Sequence, residues 1–322
     1  MAQLTDSVDG AKKQTKVGPP SWFFPLTVGV LTFGLVWAGY EAPSLFTDFD
    51  YFWAGGVALS QGLDPYTYVQ DQIAGARLPS PFYYPGTAAV FMAPFGILSR
   101  QAAAALFTAA GMVLLASSVR SWRQWIVLSA PAIQAVLFGQ WSPWLTAAIG
   151  LPWLGLVWAV KPSIGLPLLA AWPSRPALFG SISLVVVSLI ALPHWPIAWL
   201  EALRDTPQYR APVLRPGGFL LLLAFLRWRE PEARMLGTLA MIPHTTGIYE
   251  WLPLLLIPQN KARFMVMFGL TYLAAACAYA FTPHGPTVIA EGLDAQWPYF
   301  LVLVYAPALY MVLSRPASAT RS

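Results

Sequence analysis

The chain has 322 residues, 57% of them hydrophobic and 10% charged, with a formal net charge of +5. Soluble domains run at roughly 45–50% apolar and about 25% charged residues, so this composition excludes an ordinary soluble fold and predicts a membrane protein. At roughly 20 residues per crossing, the apolar content supplies about nine full spans at most.

The apolar segments run at helical length without strict alternation. That excludes an outer-membrane barrel pattern and predicts an all-α, polytopic transmembrane helical bundle. The surplus of Lys and Arg falls in short clusters between apolar runs, which is the positive-inside pattern and not a nucleic-acid footprint. Cys277 is the one cysteine, so no intrachain disulfide forms. Thirty prolines are nearly twice the usual share, and many border the apolar runs. They predict short or broken helices, which a membrane tolerates only where the backbone is buried or lines a polar cavity.

In chain order, 1–20 reads as a cytoplasmic tail carrying Lys12, Lys13 and Lys16, 21–313 as a single integral-membrane domain, and 314–322 as a second cytoplasmic tail. Residues 22–40 read as a first outward span. The stretch 41–85 is too polar to cross and reads as an external loop with Asp48, Asp50, Asp64 and Asp71. Segments 84–98 and 101–119 read as the next spans, ending at Arg100 and at Arg120 with Arg123. Two consecutive spans cannot both end in the cytoplasm, so the charge rule conflicts with itself here, and the path from Arg120 to Arg175 stays open.

Beyond it, 177–193 reads as outward, 194–217 as an external interfacial segment, and 218–228 as inward. Arg227, Arg229 and Arg234 mark the inside, as do Lys261 and Arg263. Residues 235–258 must therefore go out and return, with an external turn at 243–247. Two last spans, 264–281 and 297–313, flank an external loop at 284–296 and leave Arg315 and Arg321 inside. No internal repeat is apparent, which disfavours an inverted-repeat transporter.

The first loop is the most informative stretch: Thr47-Asp48-Phe49-Asp50-Tyr51-Phe52-Trp53-Ala54, continuing to Gly62-Leu63-Asp64-Pro65-Tyr66. Its acidic start, helical period and Gly stop predict an interfacial amphipathic helix, with Phe49, Phe52, Trp53 and Val57 facing lipid or core. Asp48 reads either as an ordinary helix cap or as a functional carboxylate. On a helix, Asp48 and Asp50 point roughly 200° apart, which argues against a shared metal ion.

Asp48-Phe49 with its aromatics, the small Ala54-Gly55-Gly56 patch, Asp64-Pro65-Tyr66 and Pro81-Phe82-Tyr83-Tyr84-Pro85 together resemble the first-loop signature of the GT-C membrane glycosyltransferases. They are most similar to glycosyltransferase family 87, the bacterial polyprenol-phosphate-mannose-dependent mannosyltransferases. Gly139-Gln140, Lys161-Pro162, and Pro243-His244 through Tyr249-Glu250-Trp251 are similar to later segments of that family, the last with Glu in place of Asp. The chain departs from the family in the twenty residues between Gln140 and Lys161, where the family carries more. The resemblance implies that Asp48 is a general base, that the donor is a polyprenyl-phosphate-linked sugar, and that the acceptor is a lipid or a glycan. It implies no cofactor and leaves a metal requirement open.

The remaining candidates each admit two readings. Lys161, inside an apolar run, suits a lipid phosphate or snorkels to headgroups. His244 bonds phosphate or sugar, or is satisfied by its turn. Glu250 leads into an apolar run and needs a cationic partner, Lys161 or an arginine. Tyr83, Tyr84, Trp141 and Trp144 stack on sugar or belong to an interfacial belt. Arg204, Arg210 and Arg215 reach a phosphate or contact headgroups. Tyr249, Gln140 and Asp50 complete the substrate-binding set.

No Cys/His metal spacing, Walker loop, Rossmann fingerprint or Ser-His-Asp order appears. The expected function is inverting transfer of a hexose, mannose first, on the outer face of a bacterial cytoplasmic membrane, among membrane lipids and without nucleic acid. The alternatives are a non-catalytic GT-C-like subunit of a larger complex and a lipid or small-molecule transporter.

Overall fold

The computed structural model describes residues 22–40, 47–73, 81–204, 210–245, 247–281 and 289–316. The predicted 1–20 tail, most of the 314–322 tail and parts of the predicted loops at 41–85, 194–217 and 284–296 lie outside them. Among the described residues every regular element is helical. The elements are α1 (Phe23–Gly39), α2 (Thr47–Ser60), α3 (Pro65–Ile73), α4 (Gly86–Gly96), α5 (Arg100–Ser118), α6 (Ala130–Phe138), α7 (Ser142–Gly150), α8 (Pro162–Ala171), α9 (Arg175–Ala191), α10 (Trp195–Arg204), α11 (Pro231–Met241), α12 (Lys261–Phe281), α13 (Ile289–Phe300) and α14 (Ala306–Leu313). Apolar 3-10 segments cover Ser121–Leu128, Pro152–Ala159, Gly218–Arg227 and Ile248–Leu256, and a π-helical turn, Leu301–Tyr305, joins α13 to α14.

Among the described residues, α5, α12 and the continuous Asp294–Leu313 are long and apolar enough to cross a membrane, and α9 with α10 passes the same test as a pair bent by 96°. The other elements are short because their ends are written into the sequence. Pro occupies the first turn of α7, α8, α9 and α11, where its missing N–H leaves no intrahelical bond unmade. Ser99, Ser129 and Ser174 start α5, α6 and α9 by accepting backbone N–H bonds from Ala102, Ala132 and Ala177.

Polar contacts fix which ends lie together. The Gln101 amide donates to the Trp37 carbonyl at 2.8 Å, and Gly29 packs against Val113, so α1 and α5 run antiparallel. Tyr40, Asp50 and Arg100 consequently meet at one end, the tyrosine hydroxyl donating to Asp50 at 3.0 Å and Arg100 pairing with the same carboxylate. At the opposite end Arg123 donates to the Pro258 carbonyl at 3.0 Å, and Arg315 bridges Glu230 and Glu232 at 2.8 Å each. Arg234 there holds the carbonyls of Ala170 and Ala171.

This arrangement corrects the expected span at 84–98. Its helix, α4, has 11 residues, only about 16 Å of rise, with Pro94 inside it. Gly56 and Gly96 allow α4 to lie close against α2, since a side chain at either would strike the neighbouring backbone. Arg100 therefore shares an end with the first loop, and α5 alone runs from Arg100 toward Arg123. The charge conflict disappears, because those arginines sit at opposite ends.

Between Arg120 and Arg175 the chain zigzags. Ser121–Leu128 and α6 rise beside α12, with Trp122 on Phe264 and the Tyr272 hydroxyl bonded to the Leu128 carbonyl. α7 descends until Gly150 meets Ser118, Pro152–Ala159 climbs back, and α8 descends to Arg234. At about 2.0 Å per residue, a 3-10 segment reaches farther than an α-helix of equal length, which suits these short limbs.

The core is aromatic. Phe49, Phe52, Phe107 and Trp141 pack with ring centroids 4.8–5.7 Å apart. The apolar side of α2 therefore faces protein. Trp141 and Trp144 belong to this core, which overturns both expectations for them, and the Trp144 indole donates to the Phe107 carbonyl at 3.1 Å.

The end assignment has a direct check. Asp64 lies beside the α9–α10 bend and Asn260 beside the Arg123 end, both exposed. In a Cys277→Ser background, an impermeant thiol reagent is expected to label Asp64→Cys in sealed cells and Asn260→Cys only after permeabilisation. Labelling of both in sealed cells would contradict it.

Candidate active site

Three tips of the zigzag converge on one cavity of about 650 Å³. At the α6–α7 connection Phe138 lines it with Gln140 behind Asp48, the turn before α8 brings Lys161, and the 243–247 break brings His244. Asp48 on α2 closes the cavity from the first loop, and Pro81, Tyr83, Tyr84 and Pro85 form an extended wall. That wall is tied down by its carbonyls: the Tyr66 hydroxyl donates to Tyr84 O at 2.9 Å and the Trp199 indole to Tyr83 O at 3.0 Å. Ala275, Ala278 and Tyr279 of α12 line another side, about 21–27 Å along the helix from Lys261.

Asp48 accepts a hydrogen bond from the Gln140 amide, and its carboxylate faces the cavity. Desolvation pushes its carboxyl above the usual carboxylate range, opposed by Lys161 and by the Gln140 bond. Gln140 is held for this contact by Gly139, which ends α6 in the left-handed region at φ 65° and packs on Phe49.

Lys161 and Glu250 form a buried ion pair at 2.9 Å, their side chains 12% and 1% exposed. Lys161 also stands 4.8 Å from the Tyr249 ring centroid. His244 Nδ1 donates to the Ile242 carbonyl at 2.8 Å, because a carbonyl can only accept. Nε2 is thereby turned toward the Tyr305 hydroxyl at 3.4 Å and Glu250 at 3.9 Å. The N-terminus of α8, opening at Lys161 and Pro162, also points its positive end at this space.

Of the candidates, Asp48, Tyr84, Lys161, His244, Tyr249 and Glu250 line the cavity, and Gln140 stands behind Asp48. Asp50, Arg204, Arg210 and Arg215 do not join them. Asp50 points to the other side of α2, where Tyr40 and Arg100 hold it, as a two-residue helical offset requires. Arg210 is exposed and lines no part of the cavity. His244 is 2% exposed, so the break holding it is an interior feature and not a surface turn. Arg215 is likewise buried, paired with Asp294 and lying over the Trp297 ring.

Sequence reasoning missed Gln134, Trp199 and Tyr279. Gln134 stands alone in the apolar α6, and its side-chain oxygen accepts the Tyr249 N–H at 2.9 Å, which holds Tyr249 at the cavity wall. A single polar residue in an apolar helix was the available signal. Among the described residues, no three His, Cys, Asp or Glu side chains converge on a metal-sized space.

The Gly139 tip is testable. A Cβ there would sit 2.7 Å from the Phe49 Cβ, on a backbone that side chains rarely adopt. Gly139→Ala is expected to lower stability by about 1–3 kcal/mol in a thermal melt of the purified protein. An unchanged melt would contradict the tip geometry.

The chain matches no protein-family model, no curated protein and no solved structure. The cavity and its chemistry therefore carry the functional argument.

Proposed function

We propose that the protein is a polytopic membrane enzyme of GT-C type, an inverting glycosyltransferase. It moves a hexose, mannose first, from a polyprenyl-phosphate carrier to a lipid or glycan acceptor at the outer face of a bacterial cytoplasmic membrane. The observation that carries this reading is the meeting, in one cavity, of a half-buried carboxylate on the first-loop helix and a lysine at a helix N-terminus. A base and an anion site are the two things such a transfer needs, since polyprenyl phosphate leaves as a stable anion without a general acid.

Asp48 takes the proton from the acceptor hydroxyl as its oxygen attacks the anomeric carbon. Gln140, donating to one carboxylate oxygen, fixes the orientation of the base. Lys161 and the α8 N-terminus stabilise the departing phosphate. Tyr83 and Tyr84 offer ring surface to a sugar, and the α12 face, with Ala275, Ala278 and Tyr279, offers an apolar side to the carrier. Attack opposite the phosphate inverts the anomeric centre.

The test is transfer by the purified protein from a polyprenyl-phosphate hexose, with the anomer of the product read by NMR. An inverted product is expected. Its rate should fall as pH drops through the Asp48 titration, above the ordinary carboxylate range, because the base acts only when ionised. A retained anomer, or a rate flat from pH 8 down to pH 4, would contradict the reading. A non-catalytic subunit would bind the same donor without turnover.

A further inference from the structure

We propose that Glu250 makes this cavity selective for singly charged anions, so that it admits a phosphodiester donor and expels the doubly charged phosphate monoester that transfer leaves behind. The proposal rests on Lys161 being the phosphate ligand, and it assigns Glu250 a role distinct from holding the fold.

Glu250 is the feature that a simple anion site does not need. It occupies the cation of the cavity at 2.9 Å and is itself 1% exposed. The groups facing it are Lys161 at the start of α8, His244 and Thr245 in the break, Tyr249 on its own segment, Asp48 on α2 and Tyr305 on the π turn. Arg215 stands farther out and is committed to Asp294. With His244 neutral and both carboxylates ionised, the lining carries one positive charge, Lys161, and two negative ones, Asp48 and Glu250. An arriving phosphate must share Lys161 with Glu250.

The chemistry then changes the charge of the occupant. The acceptor oxygen bonds to the anomeric carbon, the carbon–oxygen bond to phosphate breaks with its electron pair going to the phosphate, and the acceptor proton passes to Asp48. A diester with one negative charge becomes a monoester carrying about −1.5 to −2 near neutral pH. The added charge falls next to Glu250 in a site screened from water, where a like charge about 5 Å away weakens binding by tenfold or more. Donor capture tolerates Glu250, whereas product retention does not.

The experiment measures binding to the purified protein of two probes, a short-chain prenyl monophosphate and its methyl diester, at pH 8 and pH 5. In the wild type the diester is expected to bind at least tenfold more tightly at pH 8, and the gap to close at pH 5, where both probes carry about one charge. The diester keeps its charge throughout, so it reports any titration of Asp48 and His244. In Glu250→Gln both probes should bind more tightly at pH 8, the monoester by at least tenfold more than the diester.

Equal affinities in the wild type at pH 8, or a gap unchanged in the variant, would overturn the role of Glu250 while leaving the anion site standing. Failure of the wild type to bind either probe would remove the anion site, and the proposal with it. If Glu250→Gln does not fold, Asp48→Asn decides the question: the wild-type gap at pH 8 should persist in it, and loss of the gap would assign the selectivity to Asp48 and overturn the role of Glu250.

Discussion

Asp48→Asn is expected to reduce glycosyl transfer by at least 10²-fold while the protein still folds and still binds donor. The amide keeps the size of the carboxylate and can still meet Gln140, but it cannot take a proton. General-base catalysis contributes typically 10²–10⁴-fold, which sets the scale of the loss. Desolvation of Asp48 even favours a neutral side chain there, so stability should hold or rise slightly. Turnover near the wild-type rate would remove Asp48 from the role of base. A variant that neither folds nor binds donor would make Asp48 structural instead.

Lys161→Met carries the second large effect. Losing a charge-assisted contact shielded from water is expected to weaken donor binding by roughly 10²-fold or more. The ion pair adds a complication, because the Met variant leaves Glu250 buried without its cation, which costs about 3–5 kcal/mol of stability. The double variant Lys161→Met with Glu250→Gln separates the two effects: it should recover stability and stay deficient in donor binding. Donor affinity within about threefold of wild type in the double variant would make Lys161 a partner for Glu250 alone. Arg at this position should retain part of the affinity, since its planar fork keeps the charge but not the geometry of an ammonium.

The tips that build the cavity were legible because each is marked by a residue that an apolar helix does not tolerate. Gly139-Gln140, Lys161-Pro162 and Pro243-His244 each place a helix breaker beside a polar group, and each lies at a connection between short limbs. The pairing of Glu250 was legible for a related reason: a carboxylate entering an apolar run requires a cation, and Lys161 is that cation at 2.9 Å.

What sequence reasoning lost was the direction of short elements. Residues 84–98 carry no charged side chain, yet α4 stops at Gly96 and packs beside α2, so Arg100 belongs to the first loop's end. Composition cannot separate a short buried helix from a crossing one when both are equally apolar. The two tryptophans after Gln140 were obscured in the same way, since an indole in a core and an indole in an interfacial belt look alike in sequence. Arg210 was drawn in by its charge alone, and no backbone element directs it to the cavity.

The central claim is that Asp48 and Lys161 act on the same molecule, one at its sugar and the other at its phosphate. Cryo-electron microscopy of the protein with a non-transferable phosphonate analogue of a polyprenyl-phosphate hexose tests it most directly. The account predicts the phosphonate within hydrogen-bonding distance of Lys161 and the α8 N-terminus, the Lys161–Glu250 pair lengthened to admit it, and the sugar ring between Tyr84 and Asp48. A headgroup held elsewhere, with the Lys161–Glu250 pair still closed at 2.9 Å, would contradict it.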